Sequence, residues 1–143
     1  PAGGSRHTVS VRYLLDTNIV IFALRTRAEA LRARFAAATD QMAVSTITVA
    51  ELAYGVERSS RPDQNRGAVE EFLALLEVMP LDASAAEHAG RIRAELAITG
   101  TPIGAYDALI AGQARSRGLV VVTNNTREFA RVTGLLLEDW GRE

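Results

Sequence analysis

Short apolar runs alternate along the chain with longer stretches whose apolar residues recur at helical spacing. The runs predict β-strands at residues 12–15, 42–44, 78–81, 119–122 and 135–137, and the periodic stretches predict helices at about 18–24, 28–38, 48–58, 63–76, 83–98 and 106–117. Gly100, Thr101, Pro102 and Gly118 mark stops between them. Strands separated by helices imply an α/β domain on a mainly parallel sheet of about five strands. Residues 1–10 are small and polar, with no apolar period, and are expected to be a disordered leader or an expression remnant; residues 11–143 then form a single domain. No repeat, low-complexity tract or linker divides it.

Three acids interrupt this pattern. Asp16 closes Tyr13-Leu14-Leu15, Glu51 follows Val49-Ala50, and Asp107 lies within Ala105-Tyr106-Asp107-Ala108-Leu109-Ile110-Ala111. An unpaired acid is expensive to bury, so acids repeatedly set among apolar residues point to a hard cation that neutralises them. In a parallel sheet the residues just past the strand ends share one edge, and ligand sites lie outside it. Asp16 and Asn125 follow strands onto that edge, and Glu51 lies in the first turns of the helix after the second strand. The helix opened by Asp107 runs back over twelve residues at about 1.5 Å each, which returns its N-terminus to the same edge.

Each residue also has a structural explanation. Asp16 fits a helix cap. Asp107 shares a helical stripe with Ile110, Ala111 and Ala114, where an ion pair or a helix N-terminus can hold it. Glu51 lies off the packing face of Val49, Leu52, Ala53 and Val56 and reads as solvated. Asn125 with Glu128 three residues later fits a cap with its reciprocal acid. Thr123 either hydrogen-bonds nearby carboxylates or ends a strand. His7 and His88 lack the spacing of a zinc site. Convergence of distant acids on one edge favours the functional reading.

Composition narrows the chemistry. The 143 residues include no cysteine, which removes disulfides, thiolate zinc sites and cysteine nucleophiles. All 16 basic residues are arginine, so phosphoryl-transfer enzymes that depend on a lysine are excluded. The net charge of -1 says little, because acids gathered at one site can mask a basic surface elsewhere. The close sets Arg25, Arg27, Arg32 and Arg34, Arg91 and Arg93, Arg115 and Arg117, and Arg127 and Arg131 serve equally as solvated faces or as phosphate contacts. No run approaches the roughly 20 apolar residues of a membrane span, and a soluble, cytoplasmic protein is expected.

The segments Leu14-Leu15-Asp16-Thr17-Asn18, Ser45-Thr46-Ile47-Thr48-Val49-Ala50-Glu51-Leu52, Pro102-Ile103-Gly104-Ala105-Tyr106-Asp107, Ala111-Gly112-Gln113-Ala114-Arg115-Ser116-Arg117-Gly118 and Val122-Thr123-Asn124-Asn125-Thr126-Arg127-Glu128-Phe129, taken in order, resemble the PIN-domain family. More narrowly they resemble the VapC-type toxin ribonucleases of bacterial toxin-antitoxin pairs. The resemblance implies a three-layer α/β/α sandwich and a Mg²⁺- or Mn²⁺-dependent endoribonuclease. Asp16, Glu51 and Asp107 match the family's acidic cluster and would be the catalytic and metal-holding residues, with Asn18, Thr123 and Asn125 auxiliary. Many relatives carry a fourth acid where this chain has Asn125, a poorer ligand for a hard ion; Glu128 is the nearest substitute. Also implied are a structured RNA substrate, above all a tRNA anticodon stem-loop, whose cleavage stops translation, a homodimer, and a VapB-type antitoxin in a hetero-oligomer. Tyr54, Phe22 or Tyr106 could stack on bases, with core packing the ordinary role of each. The competing classes are a non-catalytic PIN-like module that binds RNA or protein and a phosphatase or nuclease acting on DNA.

Overall fold

The computed structural model describes residues 10–141, so the leader expected over residues 1–10, with its His7, lies outside the described residues except for Ser10. The elements are β1 (Tyr13–Leu15), α1 (Thr17–Arg25), α2 (Glu29–Ala37), β2 (Met42–Ser45), α3 (Thr46–Arg58), α4 (Pro62–Leu73), β3 (Glu77–Met79), α5 (Ala83–Ile98), α6 (Ala105–Arg117), β4 (Val120–Thr123), α7 (Thr126–Phe129) and β5 (Leu136–Asp139). The five strands lie in the order β3-β2-β1-β4-β5, and every pairing is parallel.

Successive side chains in a strand point to opposite faces, and each central strand here is apolar on both. Leu14, Ala43 and Val121 join a core with Ile92, Leu96, Ile110, Ala111 and Phe129, beneath α5, α6 and α7. Their neighbours Leu15, Val44 and Val122 join a second core with Ile19, Val20, Leu31, Leu52 and Trp140, beneath α1, α2 and α3. Two cores on opposite faces of one sheet make the three-layer α/β/α sandwich.

The expected elements are present, with local corrections. β3 stops at Met79 rather than continuing to residue 81, because Pro80 has no N–H to give the ladder. α3 starts at Thr46, two residues before the expected Thr48, because the Ser45 hydroxyl accepts the Ile47 N–H at 3.0 Å and turns the strand directly into a helix. β5 is displaced to Leu136–Asp139, in register with Val120–Thr123. The short α7 was foreshadowed only by its cap residues. Leu52 and Val56 of α3 are buried as expected, whereas Ala53 is exposed and Thr48 takes a buried place.

α6 lies against α5 at Gly112, where a Cβ would come within 2.5 Å of the Ala89 backbone nitrogen and 2.8 Å of the Ala85 carbonyl oxygen. Backbone atoms cannot swing aside as a flexible side chain can. Gly112→Ala is therefore expected to push the two helices apart and lower unfolding stability by about 1–3 kcal/mol. Urea denaturation of the pair of proteins measures this, and an unchanged midpoint would show that the helices separate without penalty.

Candidate functional site

The carboxyl edge of the sheet gathers the acids. Leu15 pairs with Val44 on one side and Val122 on the other, so Asp16, Ser45 and Thr123 follow side by side. The Asp16 N–H donates to the Val122 carbonyl at 3.0 Å, which extends the ladder to the acid itself. Asp16 is 1% exposed, and both of its oxygens are engaged. Oδ1 accepts the Ile19 N–H at 2.8 Å, and Oδ2 accepts the Thr123 hydroxyl at 2.7 Å. Capping and site-building are thus simultaneous for this residue. Burial pushes its carboxyl up from the ordinary 3.8 to about 6, against the lowering effect of the Ile19 and Thr123 hydrogen bonds, and the negative charges of Asp107 and Glu51 add to the rise.

Glu51 is half-buried rather than simply solvated. Thr17 Oγ1 donates to Glu51 Oε1 at 2.5 Å and pairs with Thr48 Oγ1 at 3.0 Å, so α1 and α3 together fix the acid. Asp107 lies in the first turn of α6, where the helix dipole favours negative charge. Burial still raises its carboxyl to about 6, followed by the charges of Glu128 and Glu51 and by a hydrogen bond shared with Glu128.

Of the two roles the sequence allowed Glu128, reciprocal cap acid and substitute for a fourth acid, the contacts favour the second. Instead of returning a cap bond to α7, its Oε1 accepts the Gly104 N–H at 3.4 Å, at the start of α6. Asn125 occupies the N-cap position of α7 but makes no side-chain cap bond; its backbone N–H donates to Thr123 Oγ1 at 2.9 Å. Thr123 thereby links Asn125 to Asp16, while Glu128 supplies an acid beside Asp107. The signal in the sequence was an acid five residues after the strand end at Thr123, where it reads equally as a helix-start glutamate. Glu128→Gln removes the neighbouring charge and is expected to lower the Asp107 titration midpoint below 6 without returning it to 3.8, since burial is the larger cause. Carboxyl chemical shifts followed by NMR across pH 4–8 measure this; an unmoved midpoint would remove Glu128 from the cluster.

A cleft of about 590 Å³ opens at this edge, lined by Thr17, Asn18, Glu51, Tyr54, Tyr106 and Asp107 among others. Asn18 and Asn125 are exposed, Asn18 on the cleft wall. Asp16 lies deeper, outside the lining. Phe22 packs on the core, whereas Tyr54 and Tyr106 are exposed, contrary to the core role expected of them. His88 is engaged elsewhere, its Nδ1 accepting Arg115 Nε–H at 3.3 Å.

Among the described residues, no arginine or histidine forms an ion pair with Asp16, Glu51, Asp107 or Glu128. Nor do three acid or imidazole side chains among the described residues converge as a preformed metal cage. Hard oxygen donors, uncompensated negative charge and an open cleft fit a divalent ion held through one or two carboxylates with its waters retained, the habit of Mg²⁺. They do not fit a closed structural site.

The PIN domain family matches residues 13–135. The chain is 52% identical over 130 residues to the tRNA(fMet)-specific endonuclease VapC of Salmonella typhimurium, covering 91% of this chain and 98% of that protein. It is 49% identical over 130 residues to the tRNA(fMet)-specific endonuclease VapC of Shigella flexneri, with the same coverage. The chain belongs to the PIN-domain family, in its VapC group. The crystal structure of DNA-bound VapBC from Salmonella typhimurium contains a chain similar to this PIN domain, with a TM-score of 0.89 at 52% identity over 91% of this chain and 98% of that one. The matched residues 13–135 include Asp16, Glu51, Asp107 and Glu128.

Proposed function

We propose that this protein is the toxin of a VapBC-type pair, a Mg²⁺- or Mn²⁺-dependent endoribonuclease that hydrolyses a phosphodiester of tRNA and so stops translation. The observation that carries the reading is the gathering of Asp16, Glu51, Asp107 and Glu128 at one edge with no cation among the described residues to answer them. The names of the two similar proteins direct the choice of substrate to the initiator tRNA(fMet).

In this reading Asp16 and Asp107 hold the divalent ion directly or through water. When bound, the ion lowers the pKa of its water and offsets charge on the phosphoryl oxygens. Thr123 and the Ile19 N–H keep Asp16 in one orientation. Thr17 fixes Glu51 Oε1, which leaves Oε2 to orient a water and accept its proton. Glu128 sets a second acid beside Asp107 at the head of α6. An unoccupied cluster of acids repels a polyanion, so RNA and ion are expected to bind cooperatively.

A VapB-type antitoxin in a hetero-oligomer follows from membership of the VapC group. Its support here is a groove of about 270 Å³ between α1, α3 and α4, lined by Leu24, Leu52, Val56 and Val69, which shares Ile21, Glu51 and Gly55 with the acidic cleft. A peptide laid in that groove reaches the acids. Homodimerisation and a cytoplasmic location belong to the same proposal; no helix among the described residues is long and apolar enough to cross a membrane.

Purified protein incubated with total tRNA, and with matched single-stranded DNA, each with Mg²⁺ or EDTA, tests the reading. tRNA should be cut only with Mg²⁺ and DNA left intact. Binding of RNA without cutting would favour a non-catalytic module, and cleavage surviving in EDTA would remove the ion from the mechanism.

A further inference from the structure

The acidic cleft is walled by two tyrosines that the fold does not use. Tyr54 is 67% exposed and Tyr106 58%, and both line the cleft with Glu51 and Asp107. Tyr54 follows Glu51 by three residues on α3, which sets it on the same helix face. Tyr106 directly precedes Asp107 in the first turn of α6. The aromatic rings that serve the core behave differently: Tyr13 and Phe35 pack on Trp140 with centroids 5.0 and 5.9 Å apart, and Phe35 also packs on Phe72. Among the described residues, neither Tyr54 nor Tyr106 stacks on another ring, and neither hydroxyl has a hydrogen-bond partner.

An anionic strand brought to this cleft meets acids, and no arginine lines it; Arg25 borders the neighbouring groove. Among the lining side chains, close attraction there has to come from uncharged groups. Aromatic faces supply it, because a nucleic-acid base stacks on them whatever its identity, and only an unpaired base splayed from its own stack is available to do so. One ring stands beside each of two acids on facing elements, so a base on either ring brings its adjoining phosphate toward the carboxylates.

We infer that Tyr54 and Tyr106 are the base-stacking walls of the site, taking unpaired RNA bases beside the bond to be cut and thereby selecting a loop over a duplex. The inference rests on the ribonuclease reading above. It makes the two tyrosines positioning residues whose effect falls on binding of the strand rather than on the chemistry of the acids.

The test compares Tyr54→Ala, Tyr106→Ala and the corresponding Phe variants with the parent on a tRNA anticodon stem-loop under Mg²⁺. Each Ala variant should raise KM by roughly 10-fold or more with a smaller effect on kcat, and each Phe variant should restore the parental KM. In an Asp107→Asn background, 2-aminopurine placed beside the cleaved bond should be quenched on binding by the tyrosine and Phe proteins and not by the Ala proteins. Ala variants with parental KM and full quenching overturn the inference while leaving the ribonuclease reading intact. A parent that cuts no RNA removes both. Ala variants that lose only affinity for an added VapB-type antitoxin, with RNA kinetics unchanged, assign the rings to a protein interface and also overturn it.

Discussion

Asp16→Asn is expected to abolish RNA cleavage while making the metal-free protein more resistant to heat above pH 6. The two effects have one cause. Asp16 is buried, and its carboxyl is raised from 3.8 to about 6 chiefly by that burial. The folded state therefore holds a proton that the unfolded state releases between those values, so stability falls as pH rises from about 4 to about 6, and the deficit is complete above it. A shift of this size corresponds to about 3 kcal/mol. Asparagine is neutral, keeps an oxygen for the Ile19 N–H and has an amide that can donate to Thr123. Thermal denaturation at pH 8 in EDTA should show a midpoint on the order of 5–10 °C above that of the parent, with the gap closing below pH 4. Cleavage should fall by roughly three orders of magnitude, because a lost ligand removes several kcal/mol of transition-state stabilisation. A variant that is less stable than the parent at pH 8 would mean that Asp16 is not held at a cost, and parental cleavage would remove it from the site.

Divalent ions should reverse that deficit, and only at the pH where the acids are ionised. At pH 7.5, Mg²⁺ or Mn²⁺ at a hundred times its Kd is expected to stabilise the folded protein by about 2.7 kcal/mol, and EDTA should return it to the starting value. At pH 5 the carboxyls of Asp16 and Asp107, both with midpoints of about 6, are largely protonated, so the ion must displace protons and its affinity falls. Calorimetry in two buffers of different ionisation enthalpy counts the protons released. Equal affinity at both pH values, with no proton release, would place the ion on groups other than these two. Glu128→Gln belongs in the same experiment, since lowering the Asp107 midpoint should shift the affinity profile to lower pH.

Much of this architecture is local and was legible in the residues. The apolar runs at β1, β2 and β4, the helical periods of α5 and α6, and the placement of Asp16 at a strand end depend on neighbours within a few positions. Parallel topology then brought Asp16, Glu51 and Asp107 to one edge without knowledge of strand order. The errors that bear on the site are at contacts that cross the chain, whereas the shifted ends of β3 and α3 have local causes in Pro80 and Ser45. Glu128 resembled a helix cap because its partner Gly104 lies 24 residues away. Tyr54 and Tyr106 resembled core residues because their helices are apolar, and only the packing of α3 beside α6 decided which side of each ring meets solvent.

The order of residues was enough to define an α/β domain with acids at the carboxyl edge of its sheet, because hydrophobic periodicity and strand-end position are properties of short segments. It took the folded chain to set Thr123, 107 residues from Asp16, on that carboxylate, to bring Glu128 to Asp107, and to leave two tyrosines open beside them. The physical reason is the strand order β3-β2-β1-β4-β5. It fixes which distant segments become neighbours, and the resulting desolvation and charge crowding exist in no segment alone.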